Sequence, residues 1–342
     1  MQPVATRAEE LSEVLSFLQE RFGVPADTAF IQPDLARWKY FIPGPEWNST
    51  RSFVLRMQNG SIAAHAHICP IRIWNGDRWL SGYHVADRAG SPRMPGAALF
   101  LAMLMGERFD VFLGIGGNES TLRIARADRV ISKPYGTLLR FGRSLRPFHK
   151  QIDGVFDWKR PLRLGRDLAW NLVHPLPPVG RWSALAVQRF GSDLPAVDIS
   201  RPLVHFMPCP RTPALLNYFL DCPGARFTGF LLQHDGVPQG HLLLSGKGGE
   251  ARVADLWIGS DDPADWIACY GLAARCAAGA YPSATSIGAV AFPPFIQDAL
   301  RSSGYRQLRV ILTTLTDKRA LLRPRPLFPH LNMIDWDAAY LF

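Results

Sequence analysis

Apolar residues at Leu11, Val14, Leu15 and Leu18 recur with the spacing of one helix face and predict a helix over residues 7–21. After Gly23 and Pro25 the period changes. Apolar-rich runs at 53–57, 62–74 and 79–86 are separated by Asn59-Gly60 and Asn75-Gly76-Asp77, the turn chemistry that joins antiparallel strands. A loop, 91–96, leads into the apolar run 97–105, which reads as a helix. A short buried strand is predicted at 111–115, a helix from Gly116 to about residue 128 with Asn118 as its N-cap, and a last strand at 135–141. The second half repeats this grammar: helix 213–220, strands 227–233, 239–245 and 252–258, loop 259–263, helix 265–278, strand 286–290, helix 294–302 and strand 309–314. The halves share almost no residue identity, so the duplication is an inference from element order. Residues 145–185 carry Pro, Trp and basic residues and read as a connection packed on both halves, because Trp158, Trp170 and Trp182 are too many for a free linker. The expected class is α+β. An N-terminal unit spans 1–145, a connector 146–185 and a C-terminal unit 186–342, each unit a mostly antiparallel sheet flanked by helices.

Length and composition agree with two packed units: 342 residues, 47% hydrophobic and 20% charged. The net charge of +9 is uneven. Residues 121–190 hold 14 Lys and Arg against 4 Asp and Glu, and the remainder holds 24 against 25. This is a basic seam, not the coat expected of a nucleic-acid binder, and it leaves peripheral membrane contact open. The longest apolar stretch, 96–106, is about half the ~20 residues of a membrane-spanning helix. The opening MQPVATRAEELSEV carries no export signal, and five scattered cysteines form no C-x-x-C. A reduced, cytoplasmic setting is therefore expected, as monomer or homodimer, with Cys269 and Cys276 as buried thiols on one helix face. Hydrolase, metalloprotease and P-loop signatures are missing. Gly114-Ile115-Gly116-Gly117 lacks the third glycine of a dinucleotide loop, since Glu119 stands there, and reads as a tight turn. His65-Ala66-His67 puts two imidazoles on one strand face. With no partner cluster they read as a solvent-facing or acceptor-facing pair, and no metal is expected.

The segment Arg93-Met94-Pro95-Gly96-Ala97-Ala98 lies after the third meander strand and directly before a helix. A helix N-terminus presents unpaired N–H groups and the positive end of its dipole, and small residues let an anion approach the backbone. In its place in the element order, the segment fits Q/R-x-x-G-x-G/A and resembles the pyrophosphate loop of the GNAT acyltransferase superfamily. The resemblance implies acetyl-CoA or another acyl-CoA held at Arg93, Met94, Pro95, Gly96, Ala97, Ala98 and Leu99. The second loop, Gly259-Ser260-Asp261-Asp262-Pro263, has no such motif, and its two aspartates would repel a pyrophosphate. Only the first unit is expected to bind the cofactor.

Acyl transfer to an amine needs a thioester beside the amine, a base, and an oxyanion donor. The resemblance puts the thioester where strands 79–86 and 111–115 part. His84 and Asp87 are the candidate bases there, with Tyr83 acting through water. His84 reads equally as a hydrogen-bonded strand histidine, and Asp87 as a partner of Arg88 or a loop cap. Asn118 and Glu119 are candidates for the acceptor edge. The tyrosine that such enzymes often use as general acid falls near Ala125, where none stands.

The expected function is acyl-CoA-dependent N-acyl transfer to a primary amine of a small-molecule, nucleotide-linked or saccharide-linked acceptor. The alternatives are a non-catalytic binding protein on the same fold, or an aminoacyl- or lipid-linked transferase of cell-envelope biosynthesis. The seam would bind phosphates of the cofactor or acceptor, or pair with acids of the second unit such as Asp261 and Asp262.

Overall fold

Alternating strands with tight turns and amphipathic helices have to bury one face each, and here they do so on a single sheet. The computed structural model describes residues 2–42, 50–116, 133–148, 159–200, 202–317, 321–322 and 327–341. The first half supplies β1 (Val4–Ala5), α1 (Leu11–Phe22), α2 (Pro33–Phe41), β2 (Ser52–Arg56), β3 (Ile62–Trp74), β4 (Trp79–Gly90), α3 (Ala97–Gly106), β5 (Val111–Ile115) and β6 (Lys133–Ser144). Then come α4 (Arg160–Val173) and β7 (Trp182–Val187). The second half adds α5 (Pro213–Leu220), β8 (Arg226–His234), β9 (Val237–Lys247), β10 (Glu250–Ile258), α6 (Pro263–Ala280), β11 (Ser286–Ala291), α7 (Pro294–Ser302) and β12 (Arg306–Thr316). The helix expected from Gly116 to about 128 lies outside the described residues. The connector is more ordered than its Pro content suggested: it holds the whole of α4, and its end forms edge strand β7.

The twelve strands run β1-β2-β3-β4-β5-β12-β6-β11-β10-β9-β8-β7. β4–β5 and β10–β11 are parallel, and the other pairs are antiparallel. The order reads the same from either end, so the halves are related by a pseudo-two-fold. Their last strands are exchanged. β12 pairs with β5 (Leu315 opposite Leu113), while β6 pairs with β11 (Ala289 opposite Phe141). The strand expected near 135–141 thus seals the other half.

Side chains alternate across the sheet. On β2–β5, Phe53, Ala66, Ile68 and Tyr83 face α3. The opposite face carries α1 and α2, with Val14, Leu18 and Tyr40 packed on Val54 and Ile62. Further along that face the two halves meet. Trp38 of α2 stacks on Tyr218 of α5, with ring centroids 4.4 Å apart, and meets Tyr340 of the C-terminal tail edge-on.

Three arginines of the basic seam are spent on this joint. Arg140 pairs with Glu250 at 2.7 Å, and Arg143 donates to the carbonyls of His174 and Gly304. Arg146 donates to Ala278, Tyr281 and Ala284 at the end of α6, where the helix dipole favours a cation. Asp261 and Asp262 are not their partners.

Candidate functional site

β4 and β5 touch as a parallel pair at only two positions, Gly82 opposite Val111 and Tyr83 opposite Phe112. Gly82 permits this approach, since a Cβ there would lie 3.1 Å from the Val111 side chain. Beyond Tyr83 the strands part. His84 stands at the fork and spans it, its Nδ1 lying 3.1 Å from the Leu113 carbonyl oxygen. A carbonyl only accepts, so Nδ1 carries the hydrogen and Nε2 holds the free lone pair. Burial pulls the imidazole down to about 4, against a weaker upward pull from that hydrogen bond, so His84 is neutral at pH 7.

Two residues further on, β4 bulges. His65 and His67 face Ala89 and Ala86, so Asp87 and Arg88 together oppose Ala66. Asp87 takes a left-handed φ of 47° there. Its carboxylate accepts from buried Lys39 and from the Tyr40 hydroxyl at 2.7 Å. Its carbonyl accepts from His65 Nδ1 at 2.9 Å. The Asp87 carboxylate therefore fastens the bulge to α2, and the cation it pairs with is Lys39. Of the two candidate bases, His84 is the one that stands at the fork, while the Asp87 carboxylate is taken up by Lys39 and Tyr40.

The histidine pair does not face solvent. His65 and His67 are 0% and 2% exposed, packed against Tyr40. Burial lowers both, His65 to about 4. His65 Nε2 meets Ser52 Oγ at 2.9 Å, and Ser52 meets Thr6 at 2.7 Å. Tyr83 lies on the other face of β4, its hydroxyl donating to the Ala102 carbonyl in α3 at 2.9 Å.

The loop before α3 is built as an open helix end. Ser91 accepts from the amides of Arg93 and Met94, and the Met94 carbonyl accepts from Ala97. Gly96 is the N-cap at φ 84°, with no side-chain cap. The Ala98 and Leu99 amides find no acceptor among the described residues. Ala98 packs against Gly90, where an added Cβ would come within 3.2 Å of it. Arg93 and Pro95 are exposed, and Ala97 is buried. Asn118 and Glu119 lie outside the described residues.

Across β3 from His84, directly opposite in register, is Cys69. Burial pushes its thiol up, so it stays protonated. Cys69 lines a cavity of about 50 Å³ between the halves, with His67, Arg51, Tyr218, Trp336 and Tyr340. The tail that closes this cavity is held by Arg252, which donates to the carbonyls of Ala338 and Leu341. Asp337 on that tail is pushed up to about 6, first by burial and then by Asp87. No local pattern marks Arg51 or Trp336 as site residues, because the tail meets β3 only through the tertiary fold.

Solved structures share this architecture. N-myristoyltransferase of Saccharomyces cerevisiae with bound myristoyl-CoA superposes with a TM-score of 0.57 at 12% identity, over 98% of this chain and 83% of that one. The chain has the GNAT fold. An Enterococcus faecalis protein described as a probable N-acyltransferase gives 0.55 at 9% identity, over 94% and 73%. A tandem GNAT protein from the clavulanic acid biosynthesis pathway gives 0.51 at 11%, over 92% and 97%. No protein-family model and no curated protein matches the sequence. No helix among the described residues is long and apolar enough to cross a membrane.

The second GNAT-like half repeats the scaffold with different contents. β10 bulges between Val253 and Asp255, and Asp255 accepts from His241 at 2.7 Å and Arg211 at 2.9 Å. Burial opposes ionisation of Asp255, but Arg211 and His241 outweigh it and hold the carboxyl well below its usual range. Here the loop before α6 is closed. Asp262 accepts from the Ala264 amide at 2.8 Å, and Ser260 donates to Asp265 at 2.6 Å. The first loop leaves its helix amides open to an anion, whereas the second fills that place with its own carboxylates.

Proposed function

We propose that this chain is an acyl-CoA-dependent N-acyltransferase whose first half binds the acyl-CoA and whose central cavity receives a primary amine. The observation that carries the reading is His84 at the fork of β4 and β5, neutral, with Nε2 free and with Cys69, its partner across β3, lining the cavity. The open α3 end fits a pyrophosphate: residues 91–99 contain no carboxylate, and the amides of Ala98 and Leu99 find no acceptor among the described residues. Those amides and the helix dipole would hold the cofactor, with exposed Arg93 beside them. Bound acyl-CoA supplies an activated thioester carbonyl. His84 Nε2 accepts the proton that the amine gives up. The β4 edge past Tyr83 has no strand partner on the β5 side among the described residues, so its amides serve as oxyanion donors. Tyr340 borders the cavity, and burial keeps its phenol protonated, so it takes the general-acid role left without a tyrosine near Ala125. The acceptor is a small-molecule or saccharide-linked amine.

The test is thermal unfolding with CoA, acetyl-CoA and myristoyl-CoA, for wild type and Pro95→Glu. A ligand at 100 times its Kd stabilises by about 2.7 kcal/mol. Pro95 is exposed, and a carboxylate there caps α3 while repelling pyrophosphate. The variant is expected to fold as stably as wild type and to lose the ligand shift. No shift with any of the three in wild type overturns the reading.

A further inference from the structure

Three buried cations line the central cavity: Lys39, Arg51 and Arg211. Two are neutralised, Lys39 by Asp87 and Arg211 by Asp255 and Asp335. Arg51, 7% exposed, has no carboxylate partner among the described residues. One terminal nitrogen donates to the carbonyls of Trp38 and Ile42 and to the Tyr218 hydroxyl, over whose ring the guanidinium lies. Its Nε is buried and bonded to nothing. Two more orphaned polar atoms belong to residues lining the same cavity, His67 Nε2 and Trp336 Nε1. A buried cation and buried donors without partners are costly, and the cost is relieved by an anion that accepts from them.

We infer that this cavity is the headgroup site for a carboxylate carried by the amine acceptor, with Arg51 as its counter-ion and Trp336 Nε1 as a second donor. The inference rests on the acyltransferase reading and deepens it. Size favours a carboxylate over a bulkier anion. One water needs about 10–15 Å³ of such space, so about 50 Å³ admits a group of roughly three to five heavy atoms. Position favours it too, because Cys69 both lines the cavity and lies opposite His84. A carboxylate seated on Arg51 therefore leaves the amine of a small amino acid on the His84 side.

The experiment compares amino acids with their α-amides as acceptors, using whichever acyl-CoA gives the thermal shift described above. Loss of a charge-assisted hydrogen bond predicts a KM about 10- to 100-fold higher for the amides. Trp336→Phe deletes only one N–H and should raise the KM of the acids several-fold and that of the amides by less, because a neutral carbonyl accepts more weakly than a carboxylate. Arg51→Gln should abolish the preference and Arg51→Lys should keep part of it. Should Arg51→Gln fail to fold, the Trp336→Phe comparison still decides. Acyl transfer with equal KM for acids and amides overturns this inference and leaves the acyltransferase reading standing. Absence of any acyl-CoA shift takes both down.

Discussion

Replacing Asp87 with Asn separates a base from a staple. Asn occupies the left-handed region as readily as Asp, so the φ of 47° at the bulge is not perturbed. What changes is charge. Lys39, 1% exposed, loses its carboxylate and keeps its hydrogen bond to the Phe30 carbonyl at 3.0 Å. At contact distance an effective dielectric of about 20 gives an attraction of roughly 5 kcal/mol. Removing one partner of a buried pair typically costs about 3–5 kcal/mol. Asp337 is close enough to feel Lys39, which puts the expected loss near 3 kcal/mol, at the lower end of that range. Urea unfolding followed by circular dichroism should show that loss as a lower midpoint at constant slope. The double variant Lys39→Met/Asp87→Asn, which removes both charges, should recover most of it. A loss below about 1 kcal/mol, or a single variant no less stable than the double, would refute the staple. A fully stable Asp87→Asn protein without acyl transfer would return Asp87 to the role of base.

Two further outcomes follow from the histidines. His84→Gln should lower kcat by about 10²- to 10⁴-fold with the acyl-CoA thermal shift retained. In wild type, the acid limb that belongs to His84 should lie near pH 4, not near 6.5, because the neutral base form persists down to about 4. A kcat unchanged in the variant sinks the assignment. His65, His84 and His330 are held down to about 4, 4 and 3 by burial, so the unfolded chain takes up their protons first as pH falls. Their contribution to stability is complete above about 6.5 and drains away toward 4, at roughly 1.4 kcal/mol per pH unit for each histidine. Urea midpoints at pH 7, 6 and 5 should fall steadily, and equal midpoints at 7 and 5 would contradict it.

Local chemistry made much of the fold legible. Asn59-Gly60 and Asn75-Gly76 announce hairpins, and Gly96 before an apolar run announces a helix that starts without a side-chain cap. An acidic residue directly before a helix suits its N-terminus, and Asp262 caps α6. The pattern failed where a bulge interrupts it. β4 continues to Gly90, past the expected end at residue 86, because Asp87 and Arg88 break the two-residue alternation. It failed again in the connector, where no helix or strand was expected and α4 and β7 form.

By itself the sequence determined the three-stranded meander of each half with the loop and helix that follow it, and the difference between an open loop at 91–96 and an acidic one at 259–263. These follow from interactions within a few residues: turn geometry, helix periodicity, and charge beside a helix end. Tertiary structure alone decided the exchange of β6 and β12, the Lys39–Asp87 pair, and the meeting of Arg51 with Trp336. Strand exchange leaves each strand's own pattern unchanged, since either neighbour satisfies the same hydrogen bonds and the same apolar face. The cavity joins residues 285 positions apart, and its donors are recognisable only once burial has removed water from them.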